Sequence, residues 1–119
     1  MPIKDVHIQK AKDNEAFADT LSDSPQASLN WKLVILFYAA IHLVEAYLAK
    51  TLNMDVKSHT TRDKYMEREA SLRQIRNDYW HLKFYGYNAR YEADQFTNQD
   101  VVKALGYFAQ VKNAITPLL

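Results

Sequence analysis

Residues 33–49 read LVILFYAAIHLVEAYLA, a 17-residue run in which only His42 and Glu45 are strongly polar. A helix that is apolar around most of its circumference must be enclosed by other elements or by lipid. A membrane span needs about 20 apolar residues, so this run is short and polar for that purpose. The expectation is a central helix wrapped by the rest of the chain. Two glycines and three prolines leave little material for tight β-turns, and no segment of useful length alternates as a strand does. The chain is therefore predicted to be all-α, a four- to five-helix up-and-down bundle forming one domain over residues 1–119.

Charge and termini narrow the function classes. A net charge of +1 lacks the global footprint of a strongly basic nucleic-acid binder, so RNA binding would have to come from a local patch. There is no cysteine, which excludes disulfides, thiolate chemistry and cysteine-ligated zinc, and fits a reducing compartment. The start, MPIKDVHIQKAKDNEAF, lacks the apolar core of a signal peptide. A cytoplasmic location with no membrane partner is expected. There is no Walker loop or dinucleotide fingerprint.

Five helical segments are legible. The first runs from about Val6 to Leu21, with Ile8, Ala11, Ala18 and Leu21 on one side. Ser24 can cap the second, with Pro25 at its first position; this helix reaches about Leu52, where Asn53 is a plausible stop. Ser58 can cap a short third helix. Ser71 and Gln74 have capping-box spacing and open a fourth helix reaching about Ala93. Thr97 and Asp100 repeat that spacing before a last helix with Val101, Leu105, Phe108, Val111 and Ile115 on its apolar side and Pro117 at its end.

The fourth helix carries RQIRNDYWHLKFYGYNARY, residues 73–91. Each helical residue advances about 100°. With Arg76 at zero, Leu72, Ile75, Tyr79, Leu82 and Gly86 fall between about 240° and 320°. That is the core stripe, and Gly86 marks a close helix crossing. Asn77, His81, Phe84 and Asn88 fall on the opposite side, between about 80° and 140°. Trp80, Tyr85 and Tyr87 lie between the two. Aromatics facing away from a core mark a second packing surface, and another helix, a partner subunit or stacked bases can cover it.

With these residues placed, the chain resembles the HEPN superfamily (higher eukaryotes and prokaryotes nucleotide-binding domains). The helix WKLVILFYAAIHLVEAYLAK is similar to the central helix of small prokaryotic members. The join SHTTR, with Ser58, His59 and Arg62, is similar to their histidine-bearing turn. The ending NARYEAD, with Arg90 and Tyr91, is similar to an Arg-Tyr ending on their later helix. Order and spacing match over most of residues 30–115.

Nuclease members carry an arginine, four to six residues, then a histidine, at a dimer cleft. Arg76-Asn77-x-x-x-His81 fits the shortest spacing. The resemblance implies a metal-independent endoribonuclease of toxin–antitoxin or phage-defence type, with no cofactor and no metal. The ribose 2′-OH would attack the neighbouring phosphorus. His81 would move the proton, Arg76 would hold the phosphate and Asn77 would orient the histidine or bond the phosphate. Lys83 stands where many such members have a tyrosine. Members with the Arg-Tyr ending often lack the nuclease motif. The alternative is a non-catalytic module that binds a nucleotide or a protein, partnering a nucleotidyltransferase-type antitoxin. There Arg90, Tyr91, His59 and Arg62 matter more. A homodimer is expected in either case.

Arg73, Arg76, Lys83 and Arg90 with Trp80, Phe84, Tyr87 and Tyr91 make a basic, aromatic surface. Such a surface suits single-stranded RNA and equally a subunit interface. Trp80, Lys83, Tyr87, Arg90, Tyr91, His59 and Arg62 are the candidate substrate-binding residues. His42 and Glu45 read as a buried, hydrogen-bonded pair, since a di-iron bundle needs Glu-x-x-His twice. His7, close to a terminus, carries no signal.

Overall fold

The computed structural model describes residues 3–22, 25–91 and 95–119. These form an all-α bundle of six helices: α1 (Ile3–Thr20), α2 (Gln26–Leu52), α3 (His59–Arg68), α4 (Ala70–Arg73), α5 (Arg76–Tyr91) and α6 (Asn98–Ile115). A 3-10 turn, Thr116–Leu118, follows. No strand occurs among the described residues.

The second helix is the spine. Its 27 residues at about 1.5 Å each give about 40 Å, matching the 41 Å long axis of the molecule. Helices α1, α5 and α6 pack along it. Residues 33–37, 39–41 and 43–48 are all buried. By length and composition α2 passes for a membrane span, yet 78% of its most apolar window is enclosed by the bundle. Tyr38, His42 and Glu45 share one stripe of α2, within about 60° of arc, and this is the stripe the other helices leave accessible to a cleft.

Local signals set the helix ends. Asn53 takes the left-handed conformation (φ 54°, ψ 43°), which asparagine tolerates better than most residues. Its amide and that of Met54 turn back to the Leu48 carbonyl. The chain then doubles back to Ser58, whose Oγ accepts from the Thr61 amide at 3.1 Å. Thr97 and Asp100 form a full capping box: the Asp100 amide donates to Thr97 Oγ1 at 3.3 Å and the Thr97 amide donates to Asp100 Oδ2 at 2.8 Å.

Four expectations are corrected. The single helix from Ser71 is two, α4 and α5, separated at Gln74 and Ile75, so there are six helices rather than five. Glu69, not Ser71, holds the N-cap position of α4, and no Ser71–Gln74 box forms. Pro25 precedes α2 in an extended conformation instead of opening its first turn. Leu105 is 38% exposed, because it sits at the margin of the stripe centred on Ala104, Phe108, Val111 and Ile115. Ser24 and Ala93, expected at helix ends, lie outside the described residues.

The core stripe expected of that segment is buried throughout: Leu72 on α4, Ile75 at the break, and Tyr79, Leu82 and Gly86 on α5. A Cβ on Gly86 would lie 2.8 Å from the Cβ of Phe37. Glycine there lets α5 close onto α2.

Candidate functional site

Two clefts meet at the side of α2 that carries Tyr38, His42 and Glu45. The larger, about 610 Å³, is bounded by α1, α2, the loop after α2 and the start of α3. Its polar wall comes from four places. Helix α1 supplies His7, on the same stripe as the buried Ala11 and Ala18. Helix α2 supplies His42 and Glu45, one turn apart. The loop that Asn53 turns back supplies Asp55. The first turn of α3, fixed by Ser58, supplies His59 and Arg62, whose i, i+3 spacing puts both on one face.

The imidazoles of His7 and His42 stack with centroids 5.3 Å apart, and their Nδ1 atoms are 3.1 Å apart. His7 Nε2 lies 3.5 Å from Glu45 Oε2 and 3.4 Å from Asp55 Oδ1. His42 Nδ1 is 3.8 Å from Glu45 Oε1, and Arg62 Nη1 is 3.5 Å from that same oxygen. Arg62 Nη2 donates to His59 Nδ1 at 2.9 Å. Because an arginine only donates, His59 Nδ1 accepts, which leaves the ring proton on Nε2.

Burial sets the charge states. Glu45 is 6% exposed and Arg62 4%. Desolvation raises the Glu45 carboxyl above its ordinary range, against the pull of His7 and Arg62. Burial lowers His42 to about 4, and the neighbouring charges of His7, Lys10 and Arg62 add to this. His42 is thus a neutral imidazole at physiological pH. His59 is also lowered, by burial first and then by Arg62 and Lys83.

The smaller cleft, about 190 Å³, lies between α2 and α5. Its floor is the Gly86–Phe37 crossing. Around it stand Tyr38, His59, Lys83, Tyr87, Arg90 and Tyr91. The His59 ring is held flat against Phe37, 6.0 Å between centroids and 13° from parallel. Arg90 donates to the Tyr38 hydroxyl and lies over the Tyr91 ring at 5.0 Å. Among the described residues its guanidinium meets a hydroxyl and ring faces rather than a carboxylate. Lys83 is paired with Asp63 at 2.6 Å and sits 5.0 Å from the Trp80 ring. Tyr38 and His59 line both clefts.

Five of the candidate substrate-binding residues, His59, Lys83, Tyr87, Arg90 and Tyr91, therefore surround one cleft, while Arg62 belongs to the adjoining one. Trp80 stands under Lys83, outside both linings. Arg76, Asn77 and His81 line neither cleft. Arg76 is bound to Glu67 at 2.7 Å in an exposed pair. Asn77 is exposed. His81 is exposed and lies flat on Tyr107 of α6, with centroids 4.5 Å apart and planes 12° from parallel. Five residues apart on one helix, Arg76 and His81 point about 140° apart.

His7 and Asp55 escaped the sequence reading. For His7 a signal existed: positions 7, 11 and 18 share one helical stripe, so the histidine faces inward with two alanines. His42 and Glu45 are not an isolated pair but part of a cluster with His7, Asp55 and Arg62. Asp55 has no local signal, because the turn at Asn53 alone brings it there. Comparison with known proteins adds no neighbour: no family model, no curated protein and no solved structure matches the chain.

Proposed function

We propose that this chain is a HEPN-like helical module that binds a nucleotide in the cleft between α2 and α5. The observation that carries this reading is the convergence of Arg90, Lys83 and His59 with the rings of Tyr38, Tyr87 and Tyr91 around one cleft. A phosphate calls for charge-assisted donors, and a base calls for an aromatic face. Arg90 is the principal phosphate donor, since its charge is not already matched by a carboxylate among the described residues, whereas that of Lys83 is matched by Asp63. Tyr87 and Tyr91, 55% and 61% exposed, are the stacking platform. In this reading the chain is a non-catalytic partner of a nucleotidyltransferase-type protein.

The test is calorimetric titration with AMP, ATP and GTP. Saturable binding is expected, weakened about tenfold or more in Arg90→Ala through loss of a charged hydrogen bond of about 1.5–3 kcal/mol. Tyr91→Ala weakens it through loss of about 1–3 kcal/mol of stacking. No heat of binding with any of the three at millimolar concentration ends the reading.

A second reading is supported by the outward exposure of His81. Here the chain is a metal-independent endoribonuclease. Arg76 and His81, facing different sides of α5, form a working site only where a second copy supplies the missing half, which fits a homodimer acting on RNA.

A further inference from the structure

We propose that His7, His42 and Glu45, with Asp55 as a fourth donor, form a binding site for a divalent first-row transition cation of the zinc class. It is distinct from the nucleotide cleft and does not rest on that reading.

Three separate segments, α1, α2 and the loop after α2, bring their only histidines and two carboxylates to one end of the larger cleft. One ligand atom each from His7, His42 and Glu45 lies within 4.8 Å of the others. Metal–nitrogen and metal–oxygen bonds of about 2.0–2.2 Å hold the donors of a tetrahedral centre about 3.3–3.6 Å apart. His7 Nε2 is 3.4 Å from Asp55 Oδ1 and 3.5 Å from Glu45 Oε2, close to that value, whereas His42 meets His7 through the other ring nitrogen at 3.1 Å. One imidazole gives one ion a single nitrogen, so loading the site requires the His42 ring to turn within the 4.8 Å spread of the three donors.

The donor chemistry selects the cation. Two imidazoles and two carboxylates, without sulfur, suit zinc or a neighbouring first-row ion; magnesium and calcium prefer oxygen ligands throughout. The carboxylate of Glu45 is already oriented. Arg62 engages Oε1 at 3.5 Å, which leaves Oε2 toward His7. An outer-shell partner of this kind fixes a ligand's aim. Arg62 is a positioning residue here. The cluster opens into the cleft rather than being sealed on all sides, which gives a cation a path in from solvent.

A stacked pair of imidazoles sharing one hydrogen bond is the competing description of the same atoms. The two differ in what a metal titration does. The full chain, stripped with chelator and dialysed, is titrated with Co²⁺ and Zn²⁺. Expected are visible d–d absorption bands with Co²⁺ that saturate at one equivalent, their displacement by Zn²⁺, and a rise in melting temperature with Zn²⁺. Asp55→Asn, at an exposed position, and His42→Gln weaken Co²⁺ binding more than tenfold. Far-UV circular dichroism checks that each variant is folded. Asp55→Asn keeps the test decisive if His42→Gln does not fold. The proposal is overturned if Co²⁺ gives no d–d bands, if Zn²⁺ leaves the melting temperature unchanged, or if the folded variants bind as tightly as the parent chain. Nucleotide titration is not part of this readout, so failure here leaves the cleft between α2 and α5 untouched.

Discussion

Gly86 of α5 lies so close to Phe37 of α2 that a methyl group on it would meet the Phe37 Cβ and Cδ2 at 2.8 Å. The Cβ is anchored to the spine and cannot swing away. Gly86→Ala is expected to destabilise the protein by about 1–3 kcal/mol, the usual range for overpacking. A methyl group on Gly106, in α6, would meet no neighbouring element within 4 Å. Gly106→Ala should instead stabilise by about 0.5–1 kcal/mol through helix propensity. Urea denaturation of the two variants, read for opposite signs, checks both.

Arg62 is buried against Glu45 and His59. Removing it leaves Glu45 enclosed beside two histidines without its guanidinium. Arg62→Ala is expected to cost about 3–5 kcal/mol, as breaking a buried charge pair does. Arg62→Lys should recover little of this, because one ammonium cannot reach the carboxylate and the imidazole as a fork does. Melting temperatures of both variants against the parent chain give the answer.

Tyr79 is fully buried and its hydroxyl, beside Arg62, makes no hydrogen bond of good geometry. Burial pushes its pKa from 10.0 up to about 12, with Arg62 pulling the other way. Below pH 10 the phenol is neutral in the folded and unfolded chain and contributes no pH dependence. Between about 10 and 12 the unfolded chain ionises first, so stability falls as pH rises. Tyr79→Phe should therefore lose less stability than the parent over that window. At neutral pH it should match or exceed the parent by up to about 1 kcal/mol, since an unpaired buried hydroxyl is costly. Denaturant titrations at pH 7, 9 and 11 measure the difference.

His81 is exposed but lies flat on Tyr107, so His81→Ala should cost no more than about 1 kcal/mol of stability, the loss of one stacked ring pair. Under the endoribonuclease reading it should lower RNA cleavage by about 10²–10⁴-fold, measured in chelator with a labelled single-stranded RNA. Unchanged cleavage would remove His81 from the chemistry.

Thr97→Ala takes away the hydroxyl that receives the Asp100 amide and should cost about 1 kcal/mol. Amide hydrogen exchange should quicken in the first turn of α6 ahead of its middle.

Where the sequence spoke clearly, it did so through periodicity and capping. The inward residues Tyr79, Leu82 and Gly86 of α5 were readable because a period of 3.6 leaves one stripe for the core, and the Thr97–Asp100 box was readable because both partners lie within one turn. Ser71 and Gln74 had the same spacing and failed, since α4 had already begun at Ala70 and the backbone breaks at Gln74–Ile75. Spacing alone does not fix where a helix starts. The cluster around Glu45 was largely hidden. Its members lie up to 55 positions apart, and their meeting depends on how α1 and the loop after Asn53 settle on α2. The polar stripe Tyr38, His42, Glu45 within an apolar helix was the visible trace of it.

Tyr38 and His59 serve as a common wall for the two clefts. A guest that presses on that wall from one side reshapes the room on the other. By thermodynamic reciprocity, whatever factor a cation near Glu45 imposes on the grip of Arg90, a guest beside Arg90 returns to the cation. A single imidazole, braced by Arg62 and lying on Phe37, would make the two chambers answer to each other.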